Sequence, residues 1–249
     1  MAQNHNMSHY GTSSMHRPDI ILLTEILPKY YTSPITETDL ITEGYKMFCS
    51  NMTTGRGILT MIRNGLEFQQ IQCDKTDMVW CKQQCGERSC LIGNIYRSPN
   101  SCQEQDKELF EHMRATIDKH GRDSHVILTG DFNFGSINWK HKTSCGMGKD
   151  FIALLDFLCL EQMIDFNTRI RGTNKPSCLD LIITNNTGLV SGIKEYPPLG
   201  KSDHVVLTFT IQCEIPKVKK KTIVCYDKGN YQTCEFIAKR FLCNFLHFS

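Results

Sequence analysis

Tryptophan is scarce, with two among 249 residues, and neither sign of charge dominates: 28 Lys and Arg stand against 26 Asp and Glu, a formal net charge of +2. That balance names no partner by itself. Long apolar runs are lacking. Stretches such as Ile20–Leu23 last a handful of residues, whereas a membrane span needs ~20, which excludes a membrane-spanning helix. Residues 1–18 hold no apolar segment and no cleavage site, which argues against a secretory leader. No repeat and no low-complexity tract is present. What is present is ordinary for a soluble globular protein, with 40% apolar and 22% charged residues. A chain of this length buries about 70–75% of its unfolded surface and folds on its core alone.

Thirteen cysteines are many, but the count is odd and their spacing irregular. That pattern fits free thiols in a reducing compartment better than a disulfide framework. The expected location is therefore intracellular, nuclear or cytoplasmic, and not secreted. Cys81, Cys85 and Cys90 are the tightest group. They include no C-x-x-C pair and no histidine at zinc-finger spacing, so no zinc module is read from them.

Residues 1–16 are polar and aperiodic, which predicts a loose tail. From Arg17 the pattern sharpens. Strands are predicted at 20–24, 45–50, 58–63, 67–73, 78–82, 91–96, 126–129, 178–184 and 205–211, where short apolar or alternating runs end at turn residues. Helices are predicted at 103–119, where Leu109, Phe110, Met113 and Ile117 recur at helical spacing, and at 148–160. After Cys213 the chain turns basic, with seven Lys and Arg against three Asp and Glu over 214–249. Lys217, Lys219, Lys220 and Lys221 read as a solvated linker before a last helix over 230–246, in which Phe236, Ile237, Phe241 and Phe245 share one side. Mixed strands and helices without strict alternation suggest packed sheets with helices outside.

Polar residues cluster at the ends of apolar strands: Glu25, Tyr96, Asp131 with Asn133, and Asp203-His204 just before one. Strand ends on a rigid scaffold are where active sites are assembled. Alone, Gly130-Asp131-Phe132-Asn133 reads as an Asx turn, and Ser202-Asp203-His204 as an ordinary surface turn.

Their order changes that reading. The segments 17–26, 93–101, 130–139, 179–185 and 197–209 follow one another in a series that resembles the endonuclease/exonuclease/phosphatase superfamily. The wording of Tyr96-Arg97-Ser98-Pro99-Asn100, Ile137-Asn138-Trp139 and Thr168-Arg169 resembles one branch, the apurinic-like endonuclease domain of non-LTR (LINE-type) retrotransposons. The resemblance spans residues 17–213, with a weaker echo to 249.

It implies an α/β fold of the α+β type: two mixed β-sheets packed face to face with helices outside, the DNase I-like four-layer sandwich. It implies phosphodiester hydrolysis with Mg²⁺, or Mn²⁺, on DNA, with no small-molecule cofactor. A reverse transcriptase domain is expected in the full-length parent. Residue by residue, Glu25 matches the metal-binding glutamate and Asp203 a carboxylate near the metal. His204 matches the catalytic histidine and Asp180 the carboxylate that holds it. Asp131 matches the residue that handles a proton, Asn133 a donor to the phosphate, and Tyr96 a phenol that binds the phosphate or the leaving oxygen. Hard carboxylate oxygens suit Mg²⁺, which neutralises part of the phosphate charge.

One element is out of place. The family opens with a strand carrying an Asn, then a helix, before the strand that ends in the glutamate. Only 24 residues precede Glu25 here, and neither Asn4 nor Asn6 lies in an apolar run. The opening strand is expected to be missing or replaced, leaving unpaired backbone in the sheet. Competing readings are a phosphoinositide or sphingolipid head-group hydrolase of the same fold, and a degenerate, non-catalytic fragment that at most binds nucleic acid.

Overall fold

The computed structural model describes residues 17–27, 35–52, 56–73, 77–172 and 175–213, together with the backbone of 242–248. The expected tail over 1–16, the lysine run 217–221 and the first part of the expected last helix, 230–241, lie outside the described residues.

In chain order the elements are β1 (Ile20–Thr24), β2 (Tyr45–Ser50), β3 (Ile58–Arg63), β4 (Gln69–Ile71), β5 (Met78–Cys85), β6 (Arg88–Tyr96), α1 (Gln103–His120), β7 (Ser124–Asp131), α2 (Met147–Phe157), β8 (Glu161–Gln162), β9 (Asp180–Thr184), β10 (Val190–Tyr196), β11 (Val206–Ile211) and β12 (Leu242–Phe248). They form two six-stranded sheets, ordered β10-β11-β12-β1-β3-β2 and β4-β5-β6-β7-β9-β8. Both sheets mix directions: β6 runs parallel to β7 and β11 parallel to β12, while the other pairs are antiparallel.

The sheets pack face to face. Ile20, Leu22, Ile58, Leu207 and Phe209 of the first interleave with Val79, Ile92, Ile127 and Ile182 of the second. The outer face of the second sheet carries α1 and α2, whose Leu109, Phe110, Met113, Phe151 and Leu155 bury against Trp80, Leu91, Leu128 and Leu181. Opposite Trp80 stands Gly93, where a Cβ would come within 2.8 Å of the indole. Asn94, fully buried, ties the layers together. Its amide donates to the carbonyls of Leu23 and Leu59 and to Thr60 Oγ1, at 3.1–3.3 Å. A polar bridge of this kind sets the sheet-to-sheet register that burial alone leaves free.

The chain end differs from expectation. Residues 242–248 are a strand, not the end of a helix, and that strand lies between β1 and β11. Helical spacing of Phe and Ile favoured a helix, but two open sheet edges offer a strand its backbone partners, and that pairing overrides local periodicity. Leu242–Leu246 pair with Ile20–Thr24, and Asn244–Phe248 with Leu207–Ile211. β1 thus gains a neighbouring strand from residues 242–248. β10 was also not foreseen. It is an edge strand with mostly exposed side chains, so it carries no apolar signal.

Candidate active site

β1, β6 and β7 end at one side of the sandwich, and the segment before β11 reaches the same place. At the end of β1, Glu25 adopts φ +53, a left-handed conformation costly for a residue other than glycine. Tyr96 closes β6, and its hydroxyl donates to Glu25 Oε1 at 2.6 Å. Burial, then the Glu25 hydrogen bond, raises the phenol above its ordinary range, so Tyr96 stays neutral and keeps donating. The other oxygen of Glu25 faces the Arg56 guanidinium at 3.6 Å.

Asp131 ends β7. The preceding Gly130 has φ +134, and a Cβ there would fall 1.9 Å from the Ile95 carbonyl oxygen, so only glycine fits. Asn133, also left-handed at φ +51, folds back over Asp131. Its amide donates to Asp131 Oδ2 at 2.7 Å and to the Arg97 carbonyl at 2.8 Å. Both amide hydrogens are thereby committed. Through that amide Asn133 contacts Asp131 directly.

Arg97 holds this turn from below. It forms a buried two-pronged pair with Asp106 of α1 at 2.6 and 2.8 Å, donates to the Asn133 carbonyl at 3.1 Å, and lies over the Phe134 ring. Fork-to-fork pairing fixes the plane of the guanidinium as well as its position.

His204 and Asp180 form the centre. His204 Nδ1 lies 2.7 Å from Asp180 Oδ2, and both residues are buried. Asp180 is fixed by Thr168, whose hydroxyl oxygen accepts the backbone N–H of Leu179 and Asp180 at 3.0 and 2.9 Å. The Thr168 carbonyl accepts from Val205 N at 2.8 Å. Thr168 therefore stitches the Asp180 strand to the His204 segment. Asp203 leans outward, with Arg169 Nε 2.9 Å from its Oδ2, Arg171 Nε at 3.8 Å, and His204 Nε2 3.9 Å from Oδ1.

Ligand atoms of Asp131, Asp180 and His204 all lie within 4.8 Å of one another. Burial raises Asp131 well above its ordinary value, and the charges of Asp180 and Glu25 raise it further against the His204 imidazole. Burial opposes protonation of His204, but the Asp180 hydrogen bond and the charges of Asp180, Asp131 and Asp203 outweigh it and lift the imidazole to about 9. His204 is accordingly an imidazolium at neutral pH.

A model of the family described as "Endonuclease-reverse transcriptase" matches residues 90–208, which include every residue of this pocket except Glu25 and Arg56. That stretch, a little under half of the chain, is similar to the endonuclease/exonuclease/phosphatase superfamily. The fold agrees. The endonuclease domain of TRAS1, a telomere-specific non-LTR retrotransposon, superposes with a TM-score of 0.53 at 18% identity, over 66% of this chain and 76% of that one. The 3′ phosphatase NExo from Neisseria, bound to a product DNA hairpin, gives 0.52 at 16% identity, over 77% and 88%. No curated protein matches the chain. Among the described residues no helix is long and apolar enough to cross a membrane.

The structure brings Glu25 and Tyr96 into one contact, Asp131 and Asn133 into a second, and Asp180 and His204 into a third, with Asp203 at the rim. The sequence reading gave no role to Arg56, Arg97, Asp106 or Thr168. For Thr168-Arg169 and Arg97 a signal was available, since both sit in the family-like wording. Asp106 and Arg56 carried none, because a helix charge and a turn arginine look like surface.

The imidazolium has a measurable consequence. His204 holds its proton more tightly when folded, at about 9, than in the unfolded chain, near 6.5. The stability it contributes is complete below pH 6.5 and is lost as pH rises through 9. Chemical denaturation of the protein and of His204→Gln should show a stability gap that narrows by on the order of 2–3 kcal/mol between those limits. A gap that stays constant would show that the imidazole is not charged.

Proposed function

We propose that this chain is a divalent-metal-dependent endonuclease that nicks DNA. The observation that carries this reading is the His204–Asp180 pair set beside a buried Asp131 of raised proton affinity, at the strand ends where Glu25 also lies.

The residues present fit a hard cation. Glu25, Asp131, Asp180 and Asp203 crowd carboxylates around one imidazole, and the upward push on Asp131 is the sign of an anion surplus that a cation relieves. Glu25, partly open, would hold the ion, with Asp203 in direct or water-mediated reach. Bound Mg²⁺ or Mn²⁺ neutralises phosphate charge and polarises the phosphorus–oxygen bond. The chain's own residues do the rest. The His204 imidazolium, its Nδ1 side held by Asp180, directs Nε2 at a non-bridging phosphate oxygen and stabilises the charge that grows there. Asp131, oriented by Asn133, accepts the proton of the attacking water, a task its raised proton affinity suits. Tyr96 fixes Glu25 through its hydroxyl. Arg56 and Arg169 add positive charge at the rim, where a DNA backbone would pass. In a longer parent protein a reverse transcriptase domain would use the nick.

The competing substrate class is a phosphoinositide or sphingolipid head group, and one experiment separates the two. The chain is supplied with Mg²⁺ and either a fluorescent DNA duplex or short-chain phosphoinositide and sphingomyelin. Cleavage of the duplex with no head-group release is expected. Head-group release without DNA cleavage would overturn the assignment.

A further inference from the structure

Arg97 follows Tyr96 directly at the end of β6, and an arginine so placed beside a candidate nuclease site would ordinarily serve a phosphate. Its burial says otherwise. Only 9% of the residue is exposed, and its guanidinium turns inward onto Asp106, a residue 1% exposed in the first turn of α1. Nε meets one carboxylate oxygen at 2.6 Å and Nη2 the other at 2.8 Å. A buried ion pair is weak ground for stability, because an apolar pair of similar volume often serves as well. What the fork supplies is direction, since two parallel bonds fix the plane of the guanidinium.

That direction is toward the turn that carries Asp131. The Arg97 backbone N–H donates to the Asp131 carbonyl at 2.8 Å, and the Arg97 carbonyl accepts from the Asn133 side-chain amide at 2.8 Å. Any residue could offer those two backbone groups. Two further contacts need this side chain. Nη1 donates to the Asn133 carbonyl at 3.1 Å, and the guanidinium lies 4.1 Å from the centre of the Phe134 ring, which stacks on Phe151 of α2 at 4.8 Å. Asn133 stands at φ +51, a backbone conformation that persists only where its surroundings enforce it. The amide of that same residue meets Asp131 Oδ2 at 2.7 Å.

We propose that Arg97, held by Asp106, is a positioning residue for phosphodiester hydrolysis: it sets the Asn133 backbone, and through Asn133 the orientation of Asp131, without touching DNA. The proposal rests on the endonuclease reading above, in which Asp131 accepts the proton of the attacking water. It makes α1 part of the catalytic scaffold, although that helix packs on the outer face of the second sheet and sends no side chain to the pocket's reacting groups. Sequence alone conceals the arrangement, because Asp106 looks like an ordinary acidic residue at a helix start. A carboxylate displaced by about 1 Å costs on the order of 100-fold in rate, so the geometry of one buried fork is enough to matter.

The full-length chain is compared with two variants in nicking of supercoiled plasmid with Mg²⁺. Arg97→Lys keeps the charge and loses the fork. The double variant Arg97→Met/Asp106→Leu leaves no buried charge unpaired, so its fold should survive. Both should lose about 10- to 100-fold in kcat with KM held within about twofold. The salt dependence of DNA binding should not change, whereas loss of an arginine on a phosphate would lower its slope by about 1. Arg114→Ala, which breaks an exposed ion pair on the same helix, should match the wild type. If the double variant fails to fold, Arg97→Lys decides alone. An Arg97→Lys protein that keeps more than roughly half of the wild-type kcat, or one whose loss lies in KM and the salt slope, would overturn the proposal and leave the endonuclease reading standing. Folded wild-type protein that does not nick would overturn both.

Discussion

Replacing His204 with alanine is expected to lower the rate of DNA nicking by about 1,000-fold, and Asp131→Asn by a similar factor. In the proposed mechanism the two residues act on the same event from opposite sides: one stabilises the charge on the phosphate, the other takes the proton from water. Groups that act as one unit give non-additive losses. The double variant should therefore be little worse than either single one. Asp180→Asn should lose at least as much, about 1,000-fold or more, because the amide holds the imidazole in the wrong tautomer and the imidazolium loses its counter-charge. Single-turnover nicking with circular dichroism as a folding control reads all four. A His204→Ala protein that keeps more than roughly a tenth of the wild-type rate would contradict a charge-stabilising role for the imidazole.

Removing residues 242–248 is expected to destabilise the fold by on the order of 3–5 kcal/mol, about 10 °C or more in Tm. In the first sheet β12 is the link between β10-β11 and β1-β3-β2. Without it the sheet divides, and the N–H and C=O groups of two strands lose their partners. The division also passes through the site, since Glu25 ends β1 on one side and His204 leads into β11 on the other. Nicking should fall with stability. An unchanged Tm by calorimetry would show that β12 does not hold the sheet. The same geometry bears on the basic run 217–221. Its contribution to DNA binding is best tested by neutralising the four lysines, because deletion of the tail removes β12 as well.

β1, β2 and β3 were legible to the residue, because short apolar runs ended at clear turn residues. Both helices were legible from their spacing. Strand ends pointed to Glu25, Tyr96 and Asp131, and family-like wording joined them to Asp180 and His204. What stayed hidden has physical causes. β10 is an edge strand with a solvated surface and offers no apolar pattern. Leu242–Leu246 read as helix because spacing is local, whereas the open edges of β1 and β11 exist only in three dimensions. The amide of Asn133 could not be assigned a direction until Asp131 and the Arg97 carbonyl were seen to take both hydrogens. Thr168 holds the Asp180 strand through its hydroxyl, a role that no spacing rule encodes.

The claim at the centre of this account is that a complete hydrolytic pocket forms with β12 in the sheet. Incubation of the folded wild-type chain with supercoiled plasmid and Mg²⁺, beside an identical sample containing EDTA, tests it most directly. Open-circle product that appears with Mg²⁺ and is absent with EDTA is the predicted result. Folded protein that leaves the plasmid supercoiled in both samples would contradict it.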